Sequence, residues 1–534
     1  MVFTKHIVGG ILGLFLLGGG AGLFAQDFQA ISIDSKMDTQ KYAPSVTDVS
    51  LLLREKDFYQ NIRRNIGHLK STLQNKKRKP ATVGDTAPFF VRNIATLDSW
   101  DTIVAECIYT SDNIALWVSV AETSFYEDSL SFSQIADSLS QLLEARSPSG
   151  SINPSKGIVD LNTEYFGTPP DVDGDGILDI LLLDIEDGFE ETGGVVAGFF
   201  DPVDLIEHEF SNKRDIIYID IYPTLFYRNQ LHIARGISTI AHEFQHLIHA
   251  NYETPVRQYT FINEGLSEFA EVLSGFSPRN PESYYQQPNR ALFSWNYDEP
   301  IPDYARSSLF FTYLFEQLGA DKAKYLVQDR VAIGYQSVLD LINEHSKETF
   351  EEIFRDWGLA LLGAEDETLS FAHSKLKNIQ PTAAKITAVY PSVTNSASAP
   401  LSHSFYYSAL TKELELMSAQ KIEASALADY PSSVVVSPVQ TGTNTFEATN
   451  GAHGSLWLLL SNTEPQISEP DTLKSIQSIL HVGEKSGRVE SLMYDDGIPD
   501  TFLGSASFLQ LGDNDIEVAV LFSSAQEFWL SEIS

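Results

Sequence analysis

The sequence predicts an α+β fold: a twisted sheet packed on one long helix, then a mainly helical half. A small β-rich region precedes this body, and an all-β accessory domain follows it. Three observations carry the expectation. Residues 177–183 and 215–221 are largely apolar runs of strand length, the first interrupted only by Asp179. Residues 231–252 keep helical spacing through Ile233, Ile237, Ile240, Phe244, Leu247 and Ile248. Beyond residue 378, short runs such as 433–436, 455–460 and 516–522 lie between Gly, Asn and Pro turns.

The elements follow in order. Residues 1–25 read as a secretory signal: Lys5 and His6 open it, an apolar Gly-rich run fills 7–24, and Ala25 offers a small residue before the cut. An uncleaved membrane anchor is the alternative reading of that run. Residues 26–80 hold 11 basic and 6 acidic side chains, and end in Lys76-Lys77-Arg78-Lys79-Pro80. They are expected to form a propeptide that docks on the acidic remainder and is cut near the basic run, or else an N-terminal linker. Residues 81–150 make the β-rich region, with strands at 89–91, 103–109 and 114–120 and an amphipathic helix at 132–145. Residues 151–378 form the main body, with further helices at 264–273, 307–318, 335–344 and 350–362. A linker at 379–402 leads to a β-sandwich-like domain at 403–534.

Composition narrows the function. At 534 residues the chain exceeds a single hydrophobic core. Its 72 acidic against 36 basic side chains give a net charge of -36, which repels phosphate backbones and argues against a nucleic-acid partner. The same charge suits cations and an exported protein. Cys107 is the only cysteine, so no intrachain disulfide exists, and its strand-like setting marks it as a core residue.

The chemistry concentrates on Ala241-His242-Glu243-Phe244-Gln245-His246, an HExxH pattern inside the long helix. Two imidazoles four residues apart share one helical face and reach one ion, while Glu243 sits beside them to handle a water proton. His249 and Tyr252 stand where a metzincin would carry Gly and its last His, so that class fails. Asn263-Glu264-Gly265-Leu266-Ser267-Glu268 follows, with Glu264 18 residues after His246. This resembles the N-E-x-x-S-D/E element of the gluzincins, the thermolysin-like clan of zincin-type peptidases. The resemblance implies that Glu264 completes a zinc site with His242 and His246, and that Glu268 orients a ligand imidazole. His249 and His232 have no assigned role.

Several further stretches are similar to the hyicolysin family of bacterial secreted metallopeptidases, over roughly residues 83–365. They are Val83-Gly84-Asp85, the run from Pro169-Pro170-Asp171 to Gly176, Ile180-Leu181-Leu182-Leu183-Asp184-Ile185, Ala197-Gly198-Phe199-Phe200, Tyr218-Ile219-Asp220, and Asp303-Tyr304-Ala305 with Tyr313-Leu314-Phe315. An aminopeptidase of the clan would carry a G-x-M-E-N strand, which residues 193–200 lack, so the resemblance implies an endopeptidase acting on proteins or peptides. Tyr304 resembles the downstream Tyr that some gluzincins use as a transition-state donor; His232 and Tyr259 are weaker candidates.

A second cation is expected. Asp171, Asp173, Asp175, Ile177 and Asp179 space out a D-x-D-x-D-G-x-x-D loop of the kind that holds calcium, although Leu182 replaces the closing Glu of a full EF-hand. Taken together, the sequence predicts a secreted zinc endopeptidase, extracellular or periplasmic and not inserted in a membrane once its signal is removed. A non-catalytic surface adhesin on a peptidase scaffold is the competing reading.

Overall fold

The computed structural model describes residues 78–361, apart from short segments at 98, 127–130, 190–193, 253–259, 288–289, 298 and 329–333. It also gives the backbone of seven strands between 405 and 483. The signal, most of the 26–80 segment, the linker and the run at 516–522 lie outside the described residues. Among the described residues no helix is long and apolar enough to cross a membrane.

A six-stranded sheet forms the frame: β1 (Thr86–Arg92), β2 (Trp100–Thr110), β3 (Ile114–Ser119), β4 (Leu178–Leu183), β5 (Gly198–Phe199) and β6 (Ile216–Asp220), in the order β1-β2-β3-β4-β6-β5. β1 to β3 run antiparallel, β3, β4 and β6 run parallel, and β5 closes the edge antiparallel to β6. The boundary expected at residue 150 therefore falls inside one sheet. The parallel step from β3 to β4 needs a long crossover. It is supplied by α1 (Val120–Phe125), α2 (Phe132–Ser140) and α3 (Ile158–Phe166). α3 has no counterpart among the expected elements.

The period-2 alternation of the strands divides the core between two faces. Ile114, Leu116, Val118, Ile180, Leu182, Ile217 and Ile219 point to the helical side. Ala115, Trp117, Leu181, Leu183, Ile216 and Tyr218 point to the other, where they meet Phe89, Phe199 and buried Cys107. β4 is buried on both faces, which is why its sequence is apolar at every position but Asp179 rather than alternating.

On the helical side, α4 (Ile233–Tyr252) lays Ile237, Ile240, Phe244, Leu247 and Ile248 into the core beside β6. It packs on α5 (Thr260–Leu273), and α5 packs on the long helix α7 (Ile301–Leu318), with α6 (Glu282–Tyr285) between them in the chain. Close approach of α5 and α7 depends on Gly265, because a β-carbon there would collide with the Phe311 ring. α7 begins six residues earlier than the sequence suggested, because Pro302 suits a first helical turn. α8 (Ala323–Gln328), α9 (Tyr335–His345) and α10 (Phe350–Ala360) complete the helical half.

The strands after residue 404 pair antiparallel in two sheets. Phe405–Leu410, Leu456–Asn462, Ile422–Tyr430 and Ser433–Pro438 make one, and Gly442–Thr445, Glu413–Ala419 and Leu480–Gly483 the other.

Candidate metal centre

The long helix and its neighbour bring the predicted motif residues together. His242 and His246 stand one turn apart on α4, their rings 4.9 Å between centroids. Glu264, on the first half of α5, places Oε2 3.7 Å from His242 Nε2 and 3.4 Å from His246 Nε2. All three side chains are buried, Glu264 completely. These separations exceed a hydrogen bond, so a shared proton does not explain the convergence. They come near what a tetrahedral ion would impose, since ligand atoms about 2.0–2.1 Å from zinc would stand about 3.3–3.4 Å apart.

Each imidazole is also turned the right way. His242 Nδ1 lies 3.0 Å from Glu271 Oε1, and His246 Nδ1 lies 2.9 Å from Asn263 Oδ1 and 3.1 Å from Ser267 Oγ. Acceptors on Nδ1 keep its proton there and leave the Nε2 lone pair facing Glu264, the arrangement usual around metal-bound histidines. Ser267 is held in turn by donating to Gln245 Oε1 at 2.5 Å, and Glu271 accepts from Ser238 Oγ. Buried Asn162, from α3, donates to the Ala241 carbonyl at 2.8 Å and ties this stretch of α4 to the crossover.

Glu268 lies beside His242 without a hydrogen bond to it. Its Oε1 is 4.0 Å from His242 Nδ1 and is engaged by both Nε and Nη2 of Arg279, at 2.8 and 2.6 Å. Burial pushes the Glu268 carboxyl above its usual range, and the Arg279 charge opposes that rise. The group that touches His242 is Glu271, seven residues after Glu264 and therefore two turns along the same face of α5. That spacing was visible in the sequence. His242, Glu268 and Glu271 also converge as an acidic group. There, however, the imidazole presents the nitrogen already bonded to Glu271, and Glu268 is committed to Arg279.

Glu243 is buried on α4 between the two histidines in sequence. Tyr304 is buried in the first turn of α7, where the Arg279 guanidinium lies 4.5 Å over its ring and Trp295 meets it edge-on at 5.0 Å. Arg279 thus links Tyr304 to Glu268 beside the histidines. His249 is buried near the end of α4, and His232 sits just before its start, its carbonyl accepting from Arg235 and Gly236. Tyr259 lies outside the described residues.

The aspartate loop divides. Asp171, Asp173 and Asp175 bring carboxylate oxygens within 4.8 Å of one another. Burial, and then the charge of Asp175, push the Asp173 carboxyl up to about 7. Ile177 donates its N–H to Asp175 Oδ1 at 2.9 Å as the chain enters β4. Asp179 departs from the expected set. It turns away into the sheet, where it accepts from Trp117 Nε1 at 2.7 Å and pairs with Arg214 at 3.1 Å. Its place on β4, one residue past an inward-facing Leu178, is what carries it off the loop.

No family model matches the chain. It is 35% identical over 181 residues to the neutral metalloprotease ShpI of Staphylococcus hyicus, a match that covers 31% of this chain and 41% of that protein. The chain thus spans less than half the length of the relative it resembles, a metalloprotease by name.

Proposed function

We propose that this chain is a secreted zinc endopeptidase of the gluzincin class, hyicolysin-like in its motifs. The observation that carries the reading is the convergence of His242, His246 and Glu264, with both imidazoles oriented from behind by Glu271 and Asn263. Two neutral imidazoles and one carboxylate are the donor set of catalytic rather than structural zinc, since three protein ligands leave a position open. The residues present therefore fit the ion. Zinc bound there supplies an electrophile that acidifies water toward neutrality and polarises a carbonyl.

The chain's own groups do the rest. Glu243 takes the proton of the attacking water and passes it to the leaving amine. Tyr304 donates to the oxyanion as it forms, held in place by Arg279 and Trp295. By this reading residues 1–25 direct export, the basic segment at 26–80 is a propeptide, and the C-terminal strands belong to an accessory domain. The intact His242, Glu243, His246 and Glu264 set disfavours a non-catalytic adhesin.

The test is zinc content and casein hydrolysis measured together on the purified chain. One zinc per chain with casein cleaved is the expected result, and a chain that holds no zinc overturns the proposal.

Glu271 supplies a separate prediction. Glu271→Gln keeps the shape but weakens the pull on the His242 ring proton, so zinc affinity is expected to fall about 10- to 100-fold. Competition with a chromogenic chelator measures it. Glu268→Gln, acting on a group held by Arg279, is expected to change that affinity less; the reverse order would return the orienting role to Glu268.

A further inference from the structure

Away from the histidines, the aspartate loop gains a fourth carboxylate from a distant part of the chain. Asp215, immediately before β6, accepts the Val172 N–H on Oδ2 at 3.0 Å, between Asp171 and Asp173. Asp173 and Asp215 are 7% and 3% exposed. In each, Oδ1 is buried and meets no hydrogen-bond donor. A carboxylate oxygen stripped of water and given no donor is costly unless a cation answers it. The cation the fold places there is Arg78. Its N–H donates to the Asp173 carbonyl at 2.8 Å, and its guanidinium stands 3.9 Å from Asp173 Oδ2, too far for a hydrogen bond.

We propose that Asp171, Asp173, Asp175 and Asp215 form a calcium site, with Arg78 as the resident counter-charge that calcium displaces. The donors are all hard oxygens. Asp171, Asp173 and Asp175 bring oxygens within 4.8 Å of one another, and a set of several protein carboxylates suits calcium better than magnesium, which keeps its waters and is held by one or two. Gly174 and Gly176, at φ +74° and +75°, turn the loop so that its aspartate carboxylates converge. Asp215 supplies the ligand that the loop's own sequence lacks, and Asp179 is excluded by its bonds to Trp117 and Arg214. Because Arg78 belongs to the basic run at residues 76–79, calcium and that segment compete for one acidic surface.

The site does not depend on the zinc reading, and its test is independent of peptidase activity. The full chain carrying Glu243→Gln, which prevents self-digestion, is titrated calorimetrically with calcium chloride and, in parallel, with magnesium chloride. One saturable calcium per chain is expected, bound more tightly than magnesium. Asp215→Asn is expected to weaken it about tenfold or more. Exposed Asp171→Asn is expected to weaken it as well, and it keeps the test decisive if Asp215→Asn fails to fold. Arg78→Ala is expected to tighten calcium several-fold. No saturable calcium, magnesium bound as tightly, or Asp171→Asn binding like the parent overturns the site. Unchanged or weaker calcium binding in Arg78→Ala overturns the displacement.

Discussion

Glu243→Gln is expected to keep a full complement of zinc and to lose casein hydrolysis by about a thousandfold or more. The substitution is nearly isosteric, and Gln has about the helix propensity of Glu, so α4 has no reason to rearrange. It removes a buried charge rather than creating one, so burial gives no penalty. What disappears is proton acceptance: an amide neither takes the water's proton nor delivers it to the amine. Such a step is typically worth 10²–10⁴ in rate, and in the proposed mechanism one residue serves both halves of the transfer. Metal analysis alongside a fluorescent casein assay checks it. Retention of even a tenth of the activity with zinc in place would remove Glu243 from the base role.

Glu264→Ala is expected to lose both properties together. Two imidazoles remain, but they lack the carboxylate that completes the set, and binding falls by on the order of a thousandfold or more. Glu264 is completely buried, so truncation also leaves a small cavity between α4 and α5. Circular dichroism and a melting curve separate that effect from zinc loss. Glu264→Gln, which fills the cavity but is a poor metal ligand, is expected to stay folded and still lose zinc. If Glu264→Ala retained one zinc per chain, the ion would sit elsewhere, with His242, Glu268 and Glu271 the next set to test. The contrast between the two variants is the informative part. Loss of turnover with metal retained assigns Glu243 to proton transfer, and loss of metal assigns Glu264 to coordination.

The helix that carries the site was legible because its apolar residues and its two histidines obey the same 3.6-residue period, and α4 runs over Ile233–Tyr252. Strand positions were legible for a similar reason: β3, β4 and β6 are short, apolar and bounded by polar turns. The resemblance points to Glu268 because it counts residues along the chain. Whether position 268 or 271 meets His242 depends on how α5 crosses α4, and on Arg279, which claims Glu268 from a turn beyond the helix.

By itself, then, the sequence determined what local periodicity can carry: the motif helix, the pairing of His242 with His246, the adjacent Glu243, and the aspartate loop with its glycines. Tertiary structure decided everything that depends on which segments meet. It brought Glu264 Oε2 to two imidazoles, set Glu271 nearer than Glu268 to His242, sent Asp179 into the sheet and set Asp215 and Arg78 at the loop. The physical reason is that a side chain's direction follows from its own backbone, whereas its partner is fixed by the packing of elements far apart in sequence.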